Sequence, residues 1–186
     1  MAALWSDVAR HRQLAPAHDA DSLARWVREA PGLDIDDFRL ARASDGKLLG
    51  FVGLWDQRQF KQLTVVGYSP RMAVARRVFN SLALLTGSEP LPQSGAPLNV
   101  VTGTHVCVPH DRADVLRGLL VSAHNELRGS GCSVLNIGLD ITDPLGVALK
   151  GLLAQPTDIH AYLTNARGKA WDADLGGTLH YEIALV

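Results

Sequence analysis

Leu98-Asn99-Val100-Val101-Thr102-Gly103-Thr104-His105-Val106-Cys107-Val108 is a long run rich in β-branched residues, and the reading of the fold turns on it. It has the composition of a buried strand. Asp111 to Arg128 follows with Val115, Leu116, Leu119, Leu120, Ala123 and Leu127 at helical spacing, so the strand feeds a helix. Cys132 to Leu139 is a second apolar strand. A strand, a helix of this length and another strand predict two adjacent parallel strands joined by a right-handed crossover. Asp143-Pro144 then opens a further helix expected to run to about Leu153.

Working outward toward the N-terminus, Phe38 to Ala43 and Leu48 to Trp55 read as strands joined by the turn Ser44-Asp45-Gly46-Lys47, an antiparallel hairpin. Leu63 to Tyr68 reads as a third strand. Ser69-Pro70 caps a helix whose apolar face is Met72, Ala75, Val78, Phe79, Leu82 and Leu85, and Gly87 ends it. Ahead of the hairpin, two short helices are expected. One spans Leu4 to Arg12; the other is capped by Asp21 or Ser22, carries Leu23, Trp26, Val27 and Ala30 on one face, and stops at Pro31-Gly32. Ile159 to Asn165 and Thr178 to Val186 close the chain as strands, the last alternating Leu179, Tyr181, Ile183 and Leu185 against His180, Glu182 and Ala184. The sum is an α/β (α+β) fold: a mixed, mainly antiparallel sheet with a central parallel strand pair and helices on both faces. The whole of 1–186 is read as one domain, with 87–97 as an internal loop.

Composition bounds the function classes. With 47% hydrophobic residues in 186, the chain can bury a core without staples. Its 18 basic and 19 acidic residues nearly cancel, which argues against a global field for nucleic acid or an anionic membrane surface. Two cysteines, Cys107 and Cys132, are too few for a disulfide scaffold and read as reduced core thiols. No stretch approaches the roughly 18 apolar residues of a membrane span, and charge enters too early at the N-terminus for a secretory signal. A cytoplasmic location is the expectation.

The order of elements, together with Lys47-Leu48-Leu49-Gly50-Phe51-Val52-Gly53 and Tyr181-Glu182-Ile183-Ala184-Leu185, resembles the GNAT acetyltransferase superfamily. The closer resemblance is to the C-terminal halves of bacterial proteins carrying two GNAT-like domains in tandem. It rests on Trp55-Asp56-Gln57 with Lys61-Gln62 and Tyr68, on Leu91-Pro92, on Gly138-Leu139-Asp140 before Asp143-Pro144-Leu145, and on Tyr181-Glu182. The first GNAT strand has no counterpart ahead of the N-terminal helices. Phe38 to Ala43 is therefore expected at an open sheet edge, guarded by Arg39 and Arg42, with an upstream GNAT domain or a second copy as the implied partner.

The resemblance implies acetyl-CoA as cofactor, its pyrophosphate held where the long strand meets its helix by the pattern Q/R-x-x-G-x-G/A. Val106, Val108, Arg112, Arg117 and Gly118 are the implied cofactor-binding residues. The matching stretch is Arg112-Ala113-Asp114-Val115-Leu116-Arg117, in which Val115 and Arg117 replace small residues. Side chains there obstruct close backbone approach to the anion, and Asp111 or Asp114 competes for the same helix-terminal amides. Arg112 and Arg117 argue the other way, since guanidinium groups bind phosphate. The family's proton-returning tyrosine is replaced by Lys150. These departures predict weak or absent acetyl-CoA binding.

For catalysis, Asp140 stands at the carboxyl end of a parallel strand, where open α/β sheets bind ligands. Its other reading is that it organises a turn while Asp143 caps a helix. Glu182 is either a buried acid or the solvent face of an alternating strand. Trp55, Asp56, Gln62 and Tyr68 form the candidate substrate site for a small-molecule amine, with Trp55 and Tyr68 expected in one pocket or interface. His105, His110 and His124 lack metal-ligand spacing, so no metal is expected. Two functions follow: an N-acetyltransferase, or a catalytically degenerate GNAT-like domain with a structural, regulatory or ligand-binding role beside a catalytic partner.

Overall fold

The computed structural model describes residues 1–160 and 176–185. Helices α1 (Ala2–Ala9) and α2 (Ala20–Glu29) precede the hairpin of β1 (Phe38–Arg42) and β2 (Leu48–Asp56). Then come β3 (Leu63–Thr64), α3 (Pro70–Thr86), β4 (Pro97–Leu98), β5 (Val100–Cys107), α4 (Ala113–Leu127) and β6 (Val134–Ile137). The main sheet has the order β1-β2-β5-β6. It is antiparallel except for the parallel pair β5 and β6, in which Val100 to Gly103 face Val134 to Ile137. The fold is therefore the mixed α/β arrangement expected, with β5 and β6 adjacent and parallel across α4. Among the described residues β6 is an outer strand, and β3 pairs only with β4.

Side-chain alternation along β2 divides the core in two. Val52 and Leu54 point to one side and pack with Val106 and Val108 beneath α4 and with Val115, Leu116 and Leu120 of α4 itself. Phe51 and Trp55 point to the other and pack with Trp5, Val8, Val27, Leu33 and Phe38 beneath α1 and α2. Helices thus cover both faces. Asp19, in an extended conformation, caps α2 by accepting the Ser22 N–H at 2.8 Å, while the Ser22 hydroxyl accepts the Asp19 N–H at 2.9 Å. That reciprocal pair starts the helix ahead of the expected Asp21 or Ser22.

Several element boundaries differ from expectation for local reasons. Of Leu63 to Tyr68 only Leu63–Thr64 forms a strand, because Tyr68 turns to donate its hydroxyl to the Pro92 carbonyl at 2.8 Å. The helix after Asp143 is a 3-10 turn over Pro144–Leu149 that stops at Lys150. Residues 159–160 lie outside any strand, and 161–165 lie outside the described residues. The closing strand over Thr178 to Val186 reduces to a single parallel bridge, Gln13 to Leu179, and a 3-10 turn at Ile183–Leu185. Here a side chain has taken the place of a ladder partner: Glu182 accepts backbone N–H groups that a strand pairing would have satisfied. Val186 lies outside the described residues.

Among the described residues β1 is an outer strand of the main sheet. Arg39 pairs with Glu126 on α4, and Arg42 donates to the Gly46 carbonyl, so both arginines tie the edge to its own domain. Both cysteines are free; Cys107 is buried, and burial pushes its thiol up to about 12. No helix among the described residues is long and apolar enough to cross a membrane.

Candidate functional site

The site begins with an irregularity in β5. Phe51 pairs with Cys107 and Gly53 with Thr104, so two steps along β2 are matched by three along β5. The extra residue is a β-bulge centred on His105, whose φ of 49° lies in the left-handed region. Such a conformation costs a non-glycine residue about 1–3 kcal/mol and persists only when surroundings enforce it. Two enforcing contacts are visible. The Thr104 hydroxyl and His105 Nδ1 lie 2.9 Å apart, and the His105 backbone N–H, released from the ladder, donates to Glu182 at 2.9 Å.

The bulge turns His105 toward α1 and α2. Its ring is only 2% exposed and sits 4.1 Å from the Trp26 ring and 5.0 Å from the Trp5 ring, centroid to centroid. His18 and His180 close around the same tryptophan: Trp5 to His18 is 5.8 Å and Trp5 to His180 is 5.4 Å. Three imidazole nitrogens in this group, His105 Nε2, His18 Nδ1 and His180 Nε2, are buried without a hydrogen-bond partner among the described residues. Burial, reinforced by the neighbouring histidines, lowers His105 to about 3; burial, then the Arg12 charge, lowers His180 to about 4. His105 is therefore neutral at ordinary pH, and its 3.6 Å approach to Glu182 is a polar contact rather than an ion pair. Burial raises Glu182, against the opposing hydrogen bonds from the His105 and Ala184 amides. A carboxyl with a raised pKa beside a neutral imidazole has the elements of an acid/base pair. No group of three or more His, Cys, Asp or Glu among the described residues is arranged to hold a metal ion.

Beneath the histidines, Arg12 and Asp143 form a buried ion pair at 2.8 Å. Asp143 also accepts the Leu145 N–H at 2.9 Å, so it caps the 3-10 turn as expected. Asp140 takes the turn-organising role. Burial would raise it, but bonds from the Thr142 hydroxyl and N–H and from the Leu179 N–H hold it below the usual carboxylate range. Of the two candidate catalytic carboxylates, Glu182 is the one that lies against an imidazole, that of His105.

The expected cofactor residues are largely committed elsewhere. Val106 and Val108 lie in the core beneath α4, and Val115 packs into the same core from α4 itself. Arg117 donates to the Ala148 and Lys150 carbonyls, at 3.0 and 2.6 Å, and Arg112 pairs with Asp114. The N-cap residue of α4, Arg112, makes no side-chain cap bond; the Asp114 carboxyl is drawn chiefly to Arg112, and the backbone N–H groups of Val115 and Asp114 also help to hold it below the usual carboxylate range, in line with the expected competition for the first amides. Gly118 has open space around it, and Lys150 is exposed.

The expected substrate cluster is divided. Trp55 is buried, donates to the Pro31 carbonyl at 2.9 Å and packs edge-on against Trp26. Tyr68 lies under the Arg76 guanidinium and lines an open cleft of about 380 Å³ with Ala73, Arg76, Arg77, Gln93 and Ser94. No described contact joins Trp55 to Tyr68. Asp56 is held by Arg58, which keeps its carboxyl below the usual range; Gln57 is buried and donates to the Ala184 carbonyl; Gln62 is exposed.

The C-terminal segment determines the shape of the site. Pairing between β5 and β6 ends at Gly103 and Ile137, and beyond that point residues 181–183 contact the continuation of each strand, at His105 and at Gly138. Glu182 binds His105 on one side, while a Cβ placed on Gly138 would meet Tyr181 and Ile183 at 3.1 Å on the other. Thr104, His18, His180 and Arg12 were not singled out in the sequence. The one available signal was a histidine within an otherwise β-branched strand, and it does not reveal a bulge. Compared with known proteins, the chain matches no family model, no curated protein and no solved structure.

Proposed function

We propose that this chain is a GNAT-like domain that does not itself transfer acyl groups and serves a structural, regulatory or ligand-binding role beside a catalytic partner domain. The observation that carries the proposal is the position of residues 181–183. In the GNAT reading the sheet opens to admit a thioester, and here, beyond Gly103 and Ile137, the chain's own residues 181–183 contact the continuation of both strands, with Glu182 bonded to the bulge amide. Two further observations support it. Val115 is locked in the core, and Arg117 is committed to two carbonyls, so neither restores the phosphate cradle.

Charge-assisted hydrogen bonds contribute about 1.5–3 kcal/mol each, and losing two weakens pyrophosphate affinity by roughly a hundredfold or more. Calorimetric titration of the whole chain with acetyl-CoA is the test. The expected result is a dissociation constant weaker than roughly 0.1 mM. Low micromolar binding would return the acetyltransferase reading to first place. That reading draws on one specific observation, the raised carboxyl of Glu182 beside His105, which would then be the candidate base for an amine substrate.

A further inference from the structure

α3 presents its polar side to its own domain and leaves Val74, Val78, Leu82 and Leu85 exposed. Asn80 donates to the Leu91 carbonyl at 3.0 Å and accepts the Leu91 N–H at 2.8 Å. Arg76 donates through Nε to the Leu91 and Pro92 carbonyls, at 3.0 and 2.7 Å, and its guanidinium lies 5.6 Å from the centre of the Tyr68 ring. Tyr68 is fixed in turn by its bond to the Pro92 carbonyl at 2.8 Å. These bonds occupy only the Nε end of Arg76. Among the described residues its two terminal amino groups have no hydrogen-bond or ion-pair partner, and neither has the Arg77 guanidinium. Both arginines line the open cleft of about 380 Å³, with Gln93 and Ser94 beside them, and no lining residue is acidic. Elsewhere Arg10, Arg12, Arg39, Arg58 and Arg112 each meet a carboxylate. Two guanidiniums in one cleft without a counter-ion repel each other, and an arriving anion relieves that repulsion.

We propose that this cleft binds a small phosphomonoester bearing hydroxyl groups. Charge sets the class. A monoester phosphate carries about −1.5 to −2 charges at neutral pH, which matches two guanidiniums, and the terminal N–H groups of arginine fit phosphate oxygens as a fork. The amine expected at Tyr68 from the sequence would meet like charge here. Arg76 is already oriented by its carbonyl bonds and by Tyr68, so little of its rotamer freedom is left to lose on binding. The Gln93 amide and the Ser94 hydroxyl make no bond among the described residues and are left to meet the ligand's hydroxyls. A volume of about 380 Å³ lies at the small end of ligand cavities and suits a mononucleotide or a polyol phosphate rather than a nucleic acid strand. The cleft shares no lining residue with the β5–α4 junction, so the proposal does not depend on the reading of acetyl-CoA binding.

Titration of the whole chain with adenosine monophosphate and with glycerol phosphate, read by amide NMR shifts, tests it, with adenosine and glycerol as the phosphate-free counterparts. At least one monoester should bind saturably with a dissociation constant below roughly 1 mM, moving the amides of Ala73, Gln93 and Ser94, while adenosine and glycerol move none of them. Arg77→Gln should weaken that binding by about tenfold or more with the melting temperature unchanged, since its guanidinium has no partner to lose among the described residues. Arg71→Gln, on the same helix but outside the cleft, should leave the affinity as it is. Absence of saturable binding of both monoesters up to about 10 mM, equal binding of a phosphate-free counterpart, or equal effects of Arg77→Gln and Arg71→Gln would each overturn the proposal. If Arg77→Gln fails to fold, the wild-type shift map decides alone: shifts at Gln93 and Ser94 support the site, and shifts confined elsewhere remove it.

Discussion

Replacing Glu182 separates its hydrogen-bonding role from its charge. Its carboxylate accepts the His105 N–H at 2.9 Å and the Ala184 N–H at 3.3 Å, joining the bulge of β5 to the C-terminal turn. Glu182→Ala leaves a buried amide unpaired, which costs about 1–3 kcal/mol. For a chain of this size that corresponds to a fall of roughly 3–10 °C in melting temperature. Glu182→Gln keeps a carbonyl oxygen as acceptor and removes a charge that burial disfavours. The sign follows from the raised pKa: the protonated carboxyl fits the fold better, so its contribution is present below the unfolded pKa and is lost as pH rises through the folded one. Glu182→Gln should therefore gain on the wild type as pH rises through that window, while Glu182→Ala stays below both. Thermal unfolding followed by circular dichroism reads the stabilities, and amide exchange at His105 reads the bond itself. Equal melting temperatures for all three proteins, with His105 protection unchanged, would refute the role assigned to Glu182 in closing the sheet.

The histidine group predicts acid sensitivity. His105 and His180 are lowered to about 3 and about 4, so the unfolded chain takes up protons below about pH 6.5 that the folded chain does not. Stability should fall by up to about 1.4 kcal/mol per pH unit for each histidine between pH 6.5 and 4, with Glu182 opposing the trend, and urea unfolding across that range checks it. A flat profile would mean that the rings are hydrated. The Arg12–Asp143 pair predicts a different pattern: Arg12→Met or Asp143→Ala alone should cost about 3–5 kcal/mol, while the double replacement Arg12→Met/Asp143→Leu recovers much of the loss. Single-variant losses below about 1 kcal/mol in urea would place the pair in water rather than in the core. Gly53→Ala should destabilise the sheet by about 1–3 kcal/mol in the same assay, because the new Cβ would lie 2.8 Å from Thr104 Cγ2 and 3.1 Å from the Phe38 ring. An unchanged midpoint would show that the bulge can yield.

The sequence by itself determined the hairpin of β1 and β2, the parallel pair β5 and β6 across α4, and the start and end of α3 at Ser69 and Gly87. These depend on local signals: period-two and period-3.6 patterning, a serine cap, and a glycine at φ 67°. Only the tertiary structure decided the rest. The bulge at His105 is a mismatch of register between two strands, and nothing within β5 alone fixes how many residues face β2. Glu182 looked like one member of an alternating strand because alternation records only which side chains share a face. It does not record whether a backbone N–H elsewhere competes for the carboxylate. Trp55 and Tyr68 are 13 residues apart in the chain and share chemistry, yet separate carbonyl partners at Pro31 and Pro92 hold them in different places. The outward turn of α3 has the same origin. Periodicity showed that the helix had an apolar stripe, and the hydrogen bonds of Arg76 and Asn80 to the loop at Leu91-Pro92 decided which side faced the domain.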